Sequence, residues 1–99
     1  MAIIFSAKSR RDLAEIGDYI AKDSSRQADL QVTRIENACL SLSSKAQRFP
    51  VVRHLDGKPL RRVVVNSYSI FYLTEGRQVL ILRILHAARD VDQLLSPGA

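Results

Sequence analysis

The run Val79-Leu-Ile-Leu-Arg-Ile-Leu85 constrains this chain more than any other segment, because it is apolar at odd and even positions alike except at Arg83. Side chains alternate across a strand, so a run apolar on both faces belongs to a covered, central strand. A chain of 99 residues buries only about 60–65 % of its unfolded surface, which leaves room for one modest core. An arginine in such a strand cannot sit unpaired at reasonable cost. Arg83 therefore closes a buried ion pair, for instance with Asp90 or Glu75, or opens into a polar pocket that holds an anion.

The neighbouring segments supply what that strand packs against. Leu60–Val65, Tyr68–Thr74 and Val79–His86 are strand-like, and Asn66-Ser67 and Glu75-Gly76-Arg77 supply turns, which predicts an antiparallel meander. Residues 2–6, Ala-Ile-Ile-Phe-Ser, read as a further short strand. Ser6 or Ser9 caps a following helix, in which Leu13, Ile16 and Ile20 form the apolar stripe while Asp12, Glu15 and Asp18 fall elsewhere on the wheel. That helix ends near Asp23. Ser24-Ser-Arg-Gln27 matches a capping box, and Ala28, Val32, Ile35, Cys39, Leu42 and Ala46 then form a seam suited to one antiparallel neighbour. Cys39 lies on that seam, where a buried, inert thiol is expected. Phe49-Pro50 stops the second helix, and residues 47–58 read as an irregular loop ending at Asp56-Gly57. Asp90–Leu95 adds one last helical turn. The expected order is β-α-α-β-β-β: an α+β chain, residues 1–99 as a single domain, with a helical hairpin packed on a small antiparallel-rich sheet.

Composition excludes several classes. A single cysteine rules out an internal disulfide and a cysteine-based metal cluster. No apolar run approaches the roughly 20 residues of a membrane helix, and Met1–Ser6 is too short for a signal peptide, so a cytoplasmic protein without membrane attachment is expected. The net charge of +5 is not spread along the chain: Lys45, Arg48, Arg53, Lys58, Arg61 and Arg62 face only Asp56, and the remaining residues balance. Eleven of the fifteen cations are arginine, which favours forked binding of carboxylate or phosphate.

Individual side chains offer chemistry only in part. His86 falls on the opposite strand face from Arg83 by simple alternation. It stands where the chain leaves the sheet, beside Arg89, and serves either acid–base work or a backbone hydrogen bond. Arg61 and Arg62 are adjacent and point to opposite faces. Lys58, Arg61 and Arg83 become neighbours if their strands pair, forming a cationic patch for phosphate. No metal-ligand spacing, phosphate-binding glycine loop or Ser/His/Asp order is present, so no metal and no cofactor is expected. Aromatic residues are few, which gives little support for base stacking, and no direct sequence-specific DNA binding is expected. Tyr68 and Tyr72 share one strand face at the edge of the core.

Phe5-Ser-Ala-Lys-Ser-Arg-Arg-Asp-Leu-Ala-Glu-Ile-Gly-Asp-Tyr-Ile-Ala-Lys-Asp23 resembles the opening of ParE-type toxins: a strand, a serine cap and an Asp-Leu-x-x-Ile-x-x-Tyr-Ile helix. Leu60-Arg61, the Tyr68–Tyr72 strand and Ile81-Leu-Arg-Ile-Leu-His-Ala-Ala-Arg-Asp90 resemble the later strands of the same family. The resemblance spans nearly the whole chain, in order. It implies the RelE/ParE superfamily, toxins of type II systems neutralised by an antitoxin whose acidic, amphipathic C-terminal segment wraps them into a hetero-oligomer. One branch poisons DNA gyrase and traps cleaved DNA; the other cuts mRNA on the ribosome. In the nuclease case Arg61 and Arg83 resemble the positively charged catalytic positions, with His86 expected as a substitute for the terminal acid–base group. However, a lysine-rich cluster and any tyrosine after Tyr72 are missing. The Leu-His-Ala-Ala-Arg-Asp ending looks like the gyrase branch, for which no catalytic residue is expected. Lys58, Arg61, Arg62, Arg83, His86 and Arg89 are then the residues expected to meet antitoxin or target. A degenerate toxin that only binds its antitoxin is a third reading.

Overall fold

The computed structural model describes residues 1–86. Strand β1 (Ala2–Phe5) leads into helices α1 (Ala7–Ala21) and α2 (Ser25–Lys45), followed by β2 (Val51–Leu55), β3 (Lys58–Val65), β4 (Tyr68–Glu75) and β5 (Gln78–His86). The strands form one sheet in the order β1-β5-β4-β3-β2, with β1 parallel to β5 and the other pairs antiparallel. The doubly apolar run is thus an interior strand, as its composition requires.

Both helices start where a serine supplies an acceptor. Ser6 Oγ takes the Ser9 N–H at 3.0 Å, and Ser24 Oγ takes the Gln27 N–H at 3.1 Å. Ser24 departs from a full capping box, because its own N–H donates to Ile20 O at 3.0 Å and so ties the second helix to the end of the first. The helices lie close: a Cβ on Gly17 would come within 3.2 Å of Val32 Cγ2.

The main core fills the space between the hairpin and the sheet. Ile35, Cys39, Leu42 and Ala46 of the predicted seam meet Val63, Ile70, Tyr72, Val79, Ile81 and Ile84 there, with Leu13 and Ile16 at its margin. A smaller cluster of Leu60, Phe71 and Leu85 lies on the other face of the sheet. Burial of the Cys39 thiol, assisted by the nearby Glu36 carboxylate, pushes its pKa up to about 12; this is the chemistry of an inert core residue.

Two expectations need correction. Residues 51–55 of the supposed loop are a strand, β2, hairpinned to β3 through Asp56-Gly57. Both turn residues take positive φ, 50° and 79°, the geometry that lets a two-residue turn follow the twist of the strands. The segment Val-Val-Arg-His-Leu lacks clean alternation because β2 lies at the sheet edge, where both faces tolerate polar groups. The second correction concerns β5. Tyr72 pairs with Ile81 but Phe71 pairs with Arg83, so Leu82 is an extra residue, a β-bulge in the middle of the apolar strand. The last helical turn expected at Asp90–Leu95 lies outside the described residues. Among those described, no helix is long and apolar enough to cross a membrane.

Candidate functional site

Arg83 is paired, and its partner is Asp12 of α1 rather than Asp90 or Glu75. Its Nε donates to Asp12 Oδ2 at 2.8 Å and its Nη2 to Oδ1 at 3.0 Å. The Ile84 N–H adds a third bond to Oδ2 at 3.0 Å. The side chains are 14 % and 9 % exposed, so this forked pair is largely shielded from water. The hydrogen bonding of Arg83 to the Asp12 carboxylate raises the pKa of Arg83 further, against the opposing effect of burial. Asp12 is expected elsewhere on the wheel than the apolar stripe, yet it stands four residues before Ile16 and eight before Ile20. It therefore shares their inward stripe. Glu75 instead pairs with Lys58 at 3.0 Å, both well exposed. Asp90 lies outside the described residues.

The bulge is held from the same helix. Ser6 Oγ donates to Leu82 O at 2.7 Å, and the Ser6 N–H to Ile81 O at 2.9 Å. Strict alternation puts Arg83 and His86 on opposite faces, and they pair in unbroken register with Phe71 and Tyr68. Both nevertheless line one groove of about 700 Å³, together with Tyr19, Ile20, Gln31 and Tyr68. The exposed His86 ring meets Tyr68 edge-on, with centroids 5.8 Å apart at 77°. Gln31 Oε1 accepts from Asn66 Nδ2 at 3.0 Å, while its Nε2 is buried without a partner. Tyr19, 70 % exposed, stands at the same groove. Gln31 is unmarked in the sequence, and Asp12 and Tyr19 enter there only as positions of the Asp-Leu-x-x-Ile-x-x-Tyr-Ile motif, not as candidate site residues. The one available signal was complementarity: a lone carboxylate on an apolar helical stripe and a lone guanidinium in an apolar strand.

Arg61 and Arg62 do point to opposite faces, since they face Tyr72 and Phe71 respectively. Arg61 Nη1 donates to Phe49 O at 2.6 Å, with Gln47 O at 3.4 Å, and Tyr72 Oη donates to Ala46 O at 2.6 Å. Two sheet side chains thus satisfy carbonyls left over at and beyond the end of α2, and the Arg61 cation suits the negative end of a helix. Burial raises the pKa of Tyr72, partly offset by the Arg61 charge. Arg62 is half-buried, and its N–H donates to Pro50 O at 3.2 Å.

Lys58, Arg61 and Arg83 therefore do not make one phosphate patch. Each has its own partner: Glu75, the Gln47 and Phe49 carbonyls, and Asp12 respectively. Arg89 lies outside the described residues. Among the described residues, no three His, Cys, Asp or Glu side chains gather in a way that could hold a metal ion.

The family model of the ParE toxin of type II toxin-antitoxin system, parDE, matches residues 3–91. Among solved structures, the fold is similar to a chain of the chromosomal ParDE TA system from P. aeruginosa, with a TM-score of 0.74. The two are 22 % identical, and the match covers 87 % of this chain and 95 % of the other. No curated protein matches the sequence.

Proposed function

The chain belongs to the ParE toxin family of type II toxin–antitoxin systems, and from that premise we propose that it acts by binding DNA gyrase and trapping cleaved DNA. A cognate antitoxin with an acidic, amphipathic segment neutralises it, forming a hetero-oligomer. The observation that carries the binding reading is the engagement of the arginines inside the fold. RNA cleavage by 2′-hydroxyl attack needs a base, an acid and cations aimed at the phosphorane. Arg83 is instead forked onto Asp12, and Arg61 donates to the Phe49 carbonyl in the connection after α2. These are the bonds of residues that hold elements together. Of the residues expected to meet a partner, His86 is exposed and Arg62 half-buried, so both present surface to one. Lys58, also accessible, meets Glu75 at the rim, and Arg89 follows His86 in the sequence.

Expression of the chain alone, followed by assays of gyrase supercoiling and of transcript integrity, tests this reading. Lost supercoiling with trapped cleavage complexes and intact transcripts is expected. Normal gyrase with transcripts cut in translating extracts, and cutting lost in His86→Ala, would establish the ribosome-dependent nuclease instead. Neither effect from the soluble, folded chain would leave antitoxin binding as its whole activity.

A further inference from the structure

The surplus charge of the chain, carried between Lys45 and Arg62, folds into one margin of the molecule: the end of α2, the connection after it, β2 and the first half of β3. Strand β2 is the last strand of the sheet and, among the described residues, only β3 pairs with it. Its pairing fixes which backbone groups face outward. His54 stands opposite Pro59, and proline has no N–H to give. Facing pairs in an antiparallel ladder alternate between those that exchange hydrogen bonds and those that do not. The two-residue turn at Asp56-Gly57 makes Leu55–Lys58 an exchanging pair, so His54–Pro59 is a non-exchanging one. The N–H and C=O of His54 therefore point away from β3, to the open edge. Lys45 and Arg48 are exposed before this strand and Arg53 is exposed within it, and Val51 is 40 % exposed.

We propose that the outer edge of β2 takes an extended, acidic segment of a protein partner as a sixth strand, pairing with the His54 backbone while its carboxylates face the Lys45–Arg62 cations. Main-chain pairing along an edge supplies affinity, and alternate side chains supply selectivity. An open ladder is of no use to a nucleic-acid backbone, so the edge favours a peptide over phosphate. A bulge at Val51/Arg53 and the charges also discourage uncharged strands from pairing there. The inference rests on the preceding reading only in that a neutralising antitoxin is the expected owner of such a segment. Its test needs neither gyrase nor the antitoxin.

The probe is a short acetylated peptide of alternating Glu and Val, titrated into the full chain while amide exchange is followed by NMR. Slowed exchange at His54 is expected, with affinity falling as salt rises. Lys45→Glu with Arg48→Glu, both at exposed positions, is expected to weaken binding about tenfold while the spectrum of the sheet stays unchanged. A Lys/Val peptide is expected not to bind. Unchanged exchange at His54 at saturating Glu/Val peptide would overturn the proposal. So would equal binding of the Lys/Val peptide. A short DNA duplex that shifts the same margin while the Glu/Val peptide does not would overturn it in favour of phosphate recognition.

Discussion

Replacing Asp12 by alanine tests how α1 is fastened to the sheet. The Asp12 carboxylate accepts two bonds from Arg83, at 2.8 and 3.0 Å, and one from the Ile84 N–H at 3.0 Å. With the side chains 14 % and 9 % exposed, little water can replace the carboxylate once it is gone. Removing one partner of a buried pair costs about 3–5 kcal/mol, because it leaves an uncompensated charge. Domains of this size are stable by about 5–15 kcal/mol, so Asp12→Ala removes a large share of the total. The double variant Asp12→Leu, Arg83→Met removes both charges together. Apolar replacements of similar volume are often neutral, so the double variant costs only about 1–3 kcal/mol, chiefly for the orphaned Ile84 N–H. Urea unfolding at constant m measures both. A single variant that costs less than about 1 kcal/mol would refute this reasoning. Equally damaging would be a double variant as costly as Asp12→Leu and Arg83→Met measured singly and added, since the cycle would then show no coupling.

Other consequences follow from the buried titratable groups. The Cys39 pKa, pushed up from 9.0 to about 12, means the folded state keeps a proton that the unfolded chain releases. That contribution is complete below pH 9.0 and is lost by about 1.4 kcal/mol per pH unit as pH rises from there towards 12. Urea midpoints between pH 8 and 10 should therefore fall less steeply in Cys39→Ala than in the parent, and equal slopes would count against the assignment. Tyr72→Phe leaves Ala46 O without its 2.6 Å donor at the end of α2. A loss of about 1–2 kcal/mol in thermal or urea unfolding is expected, and a neutral substitution would mean that Arg61 holds that end alone.

Much of this architecture was legible because it depends on short-range chemistry. The serine caps, the seam from Ala28 to Ala46 and the doubly apolar β5 each follow from residues within a few turns or one strand. What escaped depended on distant residues or on broken alternation. Asp12 and Arg83 are separated by 71 positions, and no local pattern says that an Asp on an apolar stripe answers an Arg in an apolar strand. The extra residue at Leu82 is invisible in a run where nearly every residue is apolar, yet it shifts the register of the strand against β4. β2 was missed because an edge strand carrying Arg53 and His54 has the composition of a loop. The cluster of Lys58, Arg61 and Arg83 looked plausible from strand order alone. Each cation has a nearer partner: a carboxylate on the next strand for Lys58, the carbonyls just past α2 for Arg61, and an aspartate on α1 for Arg83.

The central claim is that the folded chain acts by binding gyrase, with its arginines holding the fold rather than doing chemistry. Purified chain added to purified gyrase and relaxed plasmid tests this most directly. The account predicts that supercoiling stops and that cleaved plasmid accumulates on denaturing the enzyme. Undiminished supercoiling at saturating toxin, with no cleaved plasmid, would contradict it.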